Sequence, residues 1–495
     1  MAAVNPTLFS WDALEAHSDL ERLRLALDYL PDQPIIEALQ TCRGQGRDDF
    51  PVAAMWNMVV AGIVFQHASI ESLLRELQRN PSLAQACGFN MLPLQAPPKP
   101  QYERDPHSGT LRIVRPPSEE PKYPLPNSWN VSRFLANLID IEREHQLVSA
   151  MITTLREQLM AALPDFGVHL GYDGKAIDSH STGQEKTATG QTSDPDADWG
   201  KHETNGVNHK TGKLWQKVKS WFGYGLHLIA DTQYEIPVAF EITRASQSEV
   251  VKLAEMTDAL FDETPALAAR CQDFSADRGL DSGPMKAKLW DDHQIRPLID
   301  TREMWREEKQ EPGYDPAQTI TRPLNPERAD TLIHSEKGEV FCVCPQSSEQ
   351  RPLAFQGFES DRNALKYRCP AAAYGFECAG KDACHERGEV QPGAYGRIVR
   401  IDITQRDRRI FVPTPHNSPS WQRGYNRRSA LERINSRIDN SFGFEKHFIR
   451  GKYKMQTRVG LALAVMMAMA LGNVLAGREE QMRSLVRPIP KAASG

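Results

Sequence analysis

Apolar side chains near the start of the chain recur every three or four positions: Ala53, Met55, Trp56, Met58, Val59, Ile63 and Val64 share one broad surface, the pattern of a packed helix. Ser69 is placed to cap a second helix over Ile70 to Arg79, and Asn80-Pro81 ends that helix and begins another. The spacing predicts a helical region over residues 1–92. Two short helices joined by a tight turn can read a DNA groove, and such pairs also pack with no such role. From 93 to 128 prolines and charges dominate, as in Pro97-Pro98-Lys99-Pro100, which predicts a linker. An amphipathic helix over Ser132 to Leu163 follows, with Phe134, Leu135, Leu138, Ile139, Ile141, Leu147 and Ile152 as its apolar positions.

The period then changes. Short apolar runs at 168–173, 223–231 and 236–243 read as strands, the last two joined by a turn at 232–235. A helix over 248–261, a run ending in Phe274-Ser-Ala-Asp277 and another at 295–300 complete the series. This order is what a ribonuclease-H-like core requires, although other α/β folds share parts of it. The expected fold class is therefore α/β, with a catalytic core split into 129–305 and 416–476. Residues 306–415, with strand-like pieces at 340–343, 395–403 and 409–412, read as a β-rich insertion domain, and 477–495 as a basic tail. The polar stretch from Asp178 to Lys219 reads as a long loop or flap. The apolar run Val459 to Ala476 reads as a buried helix, being near the lower limit for spanning a bilayer and interrupted by Asn473.

Charge changes the picture only locally. The 495 residues carry a formal net charge of −5, which by itself argues against a nucleic-acid partner, since phosphate binding leaves a basic footprint. Yet between Arg397 and Arg458 there are fifteen Lys/Arg against five Asp/Glu. The N-terminus lacks the basic start and apolar run of a signal peptide, so a cytoplasmic protein with reduced cysteines is expected. Six of the soft or borderline ligands, Cys342, Cys344, Cys369, Cys378, Cys384 and His385, fall within the insertion, which points to a structural zinc site or to a set of free thiols.

Two aspartates stand where strands are expected to end. Asp173 precedes a glycine, and Asp277 closes Phe274-Ser-Ala-Asp. Carboxylates at strand ends can converge on one sheet edge and hold two Mg2+ or Mn2+ ions for phosphodiester chemistry, or each can simply cap its strand. Further on, the run from Trp421 to Asp439, if helical, places Tyr425, Arg428, Glu432 and Arg433 on one side. An acidic metal ligand flanked by cations would meet a phosphate there; a solvated charged helix has the same pattern.

Tyr425, Arg428 and Glu432 match in register the Tyr-x2-Arg-x3-Glu-x6-Lys signature of a large class of bacterial insertion-sequence DDE transposases, which this chain resembles. The lysine position is Asp439 here. The resemblance extends to Phe50–Phe89, Tyr172-Asp-Gly-Lys-Ala-Ile177, Asp194–Trp199 and Gly225–Asp231. It implies Asp173, Asp277 and Glu432 as the catalytic, metal-holding triad, and DNA contacts from Tyr425, Arg428, Arg433 and Arg437. It also implies element ends and target as double-stranded DNA partners, a homodimer holding two ends, and no membrane. A 3′ hydroxyl freed by nicking would attack the opposite strand or a target. A metal-dependent nuclease without strand transfer, and a non-catalytic zinc-containing DNA-binding protein, are the alternatives.

Overall fold

In the computed structural model, which describes residues 18–44, 50–90, 102–104, 109–113, 125–183, 191–207, 214–305, 308–310, 319–328, 332–386 and 395–486, the chain opens with helices α1 (Ser18–Tyr29), α2 (Gln33–Arg43), α3 (Val52–Val64), α4 (Ile70–Arg79) and α5 (Pro81–Cys87). The Ser69 hydroxyl accepts from the Ser72 amide and Asn80 Oδ1 from the Leu83 amide, each satisfying a donor that a helix start leaves over. Strands β1 (Tyr102–Arg104) and β2 (Leu111–Ile113) pair as a short ribbon. Most of the 93–128 linker, the first seventeen residues and the tail beyond Val486 lie outside the described residues.

The single helix expected over 132–163 is two, α6 (Ser128–His145) and α7 (Leu147–Ala162), broken at Gln146 with φ 51°. The cause lies in Glu142. Its buried carboxylate accepts the Val148 amide at 2.7 Å, capping α7 from the preceding helix.

Strands β3 (His169–Asp178), β4 (Asp198–Val207), β5 (Leu214–Asp231) and β6 (Ile236–Arg244) follow, then α8 (Glu249–Glu263), α9 (Pro265–Arg270), β7 (Asp273–Ala276), α10 (Gly283–Asp291) and β8 (Arg296–Ile299). The five strands β6-β5-β3-β7-β8 lie side by side, antiparallel among β6, β5 and β3 and parallel from β3 to β8. That order is consistent with a ribonuclease-H-like core. β4 pairs with Leu214–Gly223 of β5, in the lane that β6 occupies beside Tyr224–Asp231. Part of the expected flap is therefore a long ribbon, and its β5 side chains from 215 to 220 are exposed on both faces, so no alternation marked it as strand. Similarly, Asp173 does not end its strand: β3 stays paired with β5 through Asp178.

The insertion holds two antiparallel sheets. One is β12-β11-β10-β9, from β9 (Thr321–Pro323), β10 (Leu332–Ser335), β11 (Val340–Val343) and β12 (Gln350–Pro352). The other is β13-β14-β15, from β13 (Ala354–Glu359), β14 (Ala364–Arg368) and, after the short helices α11 (Pro370–Tyr374) and α12 (Lys381–Glu386), β15 (Ile398–Asp402). The piece at 409–412 is a turn, apolar because Ile410 and Phe411 enter the insertion's core beside Trp305, Val340 and Leu365. The chain then forms α13 (Pro419–Asn426), α14 (Ser429–Ser436), a π turn over Arg437–Ser441 and α15 (Lys452–Leu475). The apolar run lies in α15, which is long and apolar enough to cross a membrane but is 89% buried over its most apolar window, packed against α1, α7 and β6.

Core and insertion are tied by a buried lysine of the core, Lys286. Lys286 Nζ lies 2.7 Å from Asp281 Oδ1, both side chains at most 1% exposed, and also donates to the Arg409 carbonyl at 3.1 Å. Burial pulls the Lys286 pKa down despite its anionic neighbours. Removing one partner of such a pair strands a charge, so Lys286→Ala is expected to lower unfolding free energy by about 3–5 kcal/mol, whereas Lys286→Met with Asp281→Leu costs far less. Urea unfolding of the two variants checks this; equal losses would contradict it.

Candidate active site

The acids are brought together by the sheet and by what lies over it. Tyr172 of β3 pairs with Ala276 of β7, so Asp173 and Asp277 are the next residues on adjacent parallel strands. Helices α13 and α14 press onto that sheet at two glycines. A Cβ on Gly171 would meet Leu431 Cδ1 at 3.0 Å, and one on Gly424 would meet Leu298 Cδ1 at 2.4 Å. With Leu431 against the sheet, the adjacent Glu432 is left 62% exposed at the rim.

Arg428 is paired with Glu432 and feels the charges of Asp277 and Asp173. Its Nη2 lies 3.1 Å from Glu432 Oε1, and its guanidinium sits 5.6 Å from the centroid of the Tyr425 ring, itself stacked on Trp421 at 4.6 Å. Burial works against the Arg428 charge, but Tyr425, Asp277, Glu432 and Asp173 outweigh it and hold the guanidinium more firmly protonated than usual. Asp173 feels the reverse. Burial pushes its pKa up to about 6; Arg428 opposes the rise, while Asp277, Glu249 and Glu432 add to it. Asn435 Nδ2 donates to Asp173 Oδ2 at 2.7 Å. Asp173, Glu432, Asn435, Ser436, Asp439, Asn440 and Glu445 line a cavity of about 410 Å³. A larger cleft, about 930 Å³, contains no triad residue and runs between Arg302, Trp305, Arg322 and Phe411.

The other expected residues have different neighbours. Arg433 and Arg437 both bond Glu235, the former at 2.9 Å, and Arg483 joins them at 3.3 Å. Arg427 turns away from Arg428 and reaches His169 Nδ1 (3.1 Å) and Asp273 Oδ2 (3.2 Å) at the starts of β3 and β7. Asp439 pairs with Lys175. Other acids near the triad in sequence have partners: Asp231 accepts the amides of Gly167, Gln233 and Tyr234, and Asp281 holds Lys286. Sequence reasoning missed Asn435, Glu235 and Lys175. Asn435 follows Glu432 by three positions, a helical neighbour that could have been found; the others meet partners too remote along the chain.

Among the described residues, no three His, Cys, Asp or Glu side chains are drawn close enough to hold a metal ion. The triad nonetheless suits one in its chemistry: its three groups are hard carboxylates, and the most buried of them is driven toward its neutral form, a tension that a divalent cation relieves. In the insertion, none of the five cysteines is disulfide-bonded. Cys342 is pushed up to about 11 by burial, with Arg397 opposing the rise and Cys384, Cys369 and Cys378 adding to it. Cys344 packs toward Gly380. The His385 side chain lies outside the described residues.

The raised Asp173 pKa has a definite sign. Between about pH 4 and pH 6 the folded protein binds a proton that the unfolded chain has released, so metal-free stability falls as pH rises through that window. Asp173→Asn should therefore raise metal-free stability by on the order of 2 kcal/mol at about pH 8 and by almost nothing near pH 4. Denaturant midpoints across this range test it, and a gain that is independent of pH would refute it.

No curated protein matches the chain. Residues 169–468, which begin at β3 and end within α15, match the family model described as the transposase DDE domain. Because that match spans more than half of the 495 residues, the chain belongs to the family of proteins built on the transposase DDE domain.

Proposed function

We propose that the protein is a bacterial insertion-sequence transposase of the Tyr-x2-Arg-x3-Glu-x6-Lys class, which binds the terminal repeats of its own element, cleaves there and joins the freed end to target DNA. The observation that carries this reading is Arg428 paired with Glu432 on the helical segment that packs over the neighbouring strands of Asp173 and Asp277. A cation in that place is poised to exchange carboxylate oxygens for phosphate oxygens. Asp173, Asp277 and Glu432 are the residues that would hold two Mg2+ or Mn2+ ions, which when bound supply nucleophile activation and charge neutralisation at the scissile phosphate.

The chain's own groups do the rest. The Tyr425 ring lies 5.6 Å from the Arg428 cation and would steady it as it turns to phosphate oxygens. Asn435 holds one oxygen of Asp173 and orients the other. A water oxygen bonds to phosphorus as the bond to the 3′ oxygen breaks, with the water's proton released to solvent. The resulting 3′ hydroxyl then attacks a phosphorus of the opposite strand or the target, again one bond made for one broken. Helices α3 to α5 and the basic stretch from Arg397 to Arg458 supply recognition of the repeats. Two copies hold two ends, in the cytoplasm, on the nucleoid. In the insertion, Cys342, Cys344, Cys369, Cys378, Cys384 and His385 are the residues from which a structural zinc ion would draw its ligands.

Four outcomes test this. Asp173→Ala, Asp277→Ala and Glu432→Ala should each abolish Mg2+-dependent cleavage while leaving binding of element ends intact; a folded variant that still cleaves near the parental rate would clear that residue of its role. With DNA carrying the repeats that flank the coding region, joined products are expected. Cut ends alone would identify a simple nuclease. Arg428→Ala should weaken binding of cut ends and flatten its salt dependence; identical binding at every salt concentration would remove Arg428 from the DNA contact. For the thiols, elemental analysis should find one zinc per chain, and chelation should lower the melting temperature. A zinc-free chain indifferent to chelator ends that part of the proposal.

A further inference from the structure

We infer that Lys175 is a phosphate contact for the DNA strand entering the carboxylate cavity, held in place beforehand by Asp439. The inference rests on the DNA-acting reading above. Lys175 lies two positions beyond Asp173 on β3, and side chains two apart on a strand leave the same face. Its Nζ is 2.6 Å from Asp439 Oδ2, with the side chains 17% and 28% exposed. Asp439 is carried by the π turn that directly follows the helix of Glu432, and it lines the same cavity as Asp173 and Glu432.

The cavity's composition creates the need. Its lining includes four carboxylates, those of Asp173, Glu432, Asp439 and Glu445, and no basic residue. A phosphodiester entering there meets repulsion that ions held by the triad offset only on their own side. On the Asp439 side, the cation in contact is Lys175. An ammonium has three donors, and among the described residues Asp439 is the one hydrogen-bond partner of this one. Lys175 can therefore reach a phosphate oxygen while Asp439 still holds it. Arg428 stands at the start of the same α14–π-turn segment and Lys175 at its end, so the two grip the strand from opposite ends of that segment.

The test measures affinity for two metal-free duplexes in EDTA, one of mixed sequence and one carrying the DNA that borders the coding region, over a range of salt. Lys175→Ala should lose about tenfold in affinity, and the slope of log affinity against log salt should fall by about 0.9, the value for one phosphate contact. Lys175→Gln with Asp439→Asn leaves no stranded charge. It should show the same two losses with an unchanged melting temperature, which keeps the test decisive should Lys175→Ala fold poorly. Lys175→Ala with Asp439→Lys returns a cation to the same place and should recover the slope. An unaltered slope in both lysine-free neutral variants overturns the contact while the DNA-acting reading stands. A parental chain that binds neither duplex overturns that reading and this contact together.

Discussion

Everything at this site follows from the difficulty of holding like charges together. Asp173 and Asp277 are fixed side by side by the parallel pairing of β3 and β7, and Glu432 is lowered onto them by α14. Even without closing to metal-holding distance, the acids act on one another: burial pushes the Asp173 pKa up, and the Asp277 and Glu432 charges add to the rise. The chain meets that repulsion in three ways: Asp173 is driven toward its neutral form, Asp277 and Glu432 are left exposed, and Arg428 pairs with Glu432. The helix pair α13–α14 therefore cannot rest on the triad for its position. It must be clamped from elsewhere.

Two clamps do this, and both use arginines of the same segment. Arg427 anchors the junction of the two helices to His169 and Asp273 at the far ends of the strands. Glu235, in the turn between β5 and β6, takes Arg433 and Arg437 from the end of α14 and Arg483 from beyond α15. Its backbone adopts φ 60°, a region disfavoured for a residue with a side chain, and three charge-assisted contacts hold it there. Glu432 is thus positioned by bonds on either side of it and by none to the acids it joins. The dense run of basic residues that stands out in the sequence is, in this respect, as much scaffold as binding surface.

How much of this could be read from the residues depends on the range of the interaction. The helices over 52–64 and 70–79, with the Ser69 and Asn80 caps, are local and were legible. So was the spacing of Tyr425, Arg428 and Glu432, because stacking and ion pairing at three and four residues are set by helix geometry alone. The break at Gln146 was not, since it depends on a cap reaching forward from Glu142. The β4–β5 ribbon lacked a buried face, and with it the alternation by which strands are recognised. Asp439 stood out only as an anomaly, an acid at the lysine position of the signature that the sequence resembles. Its partner is 264 positions away, and nothing short of the folded sheet brings Lys175 beside it. The cysteines show the opposite limit: their spacing matched no standard finger, and Cys342 in β11, Cys369 just after β14, Cys378 in the loop before α12 and Cys384 in α12 come from four separate segments.

The adjacent arginines at 427 and 428 state the division of labour most clearly. Both lie on one helical junction, yet one is bound to buried groups that no substrate approaches, and the other to groups that ions and phosphate would both engage. A guanidinium cannot neutralise three carboxylates and a phosphate at once, because its donors form one planar fork. Under the proposed function, metal at the carboxylates would remove the reason for Arg428 to stay, and phosphate would give it a new partner. Each ligand thereby lowers the cost of accommodating the other, since each alone would leave an unbalanced charge in a half-buried site. Coupling of this kind requires only that the helix stay put while one side chain changes partners, and Arg427 and Glu235 are what keep it there.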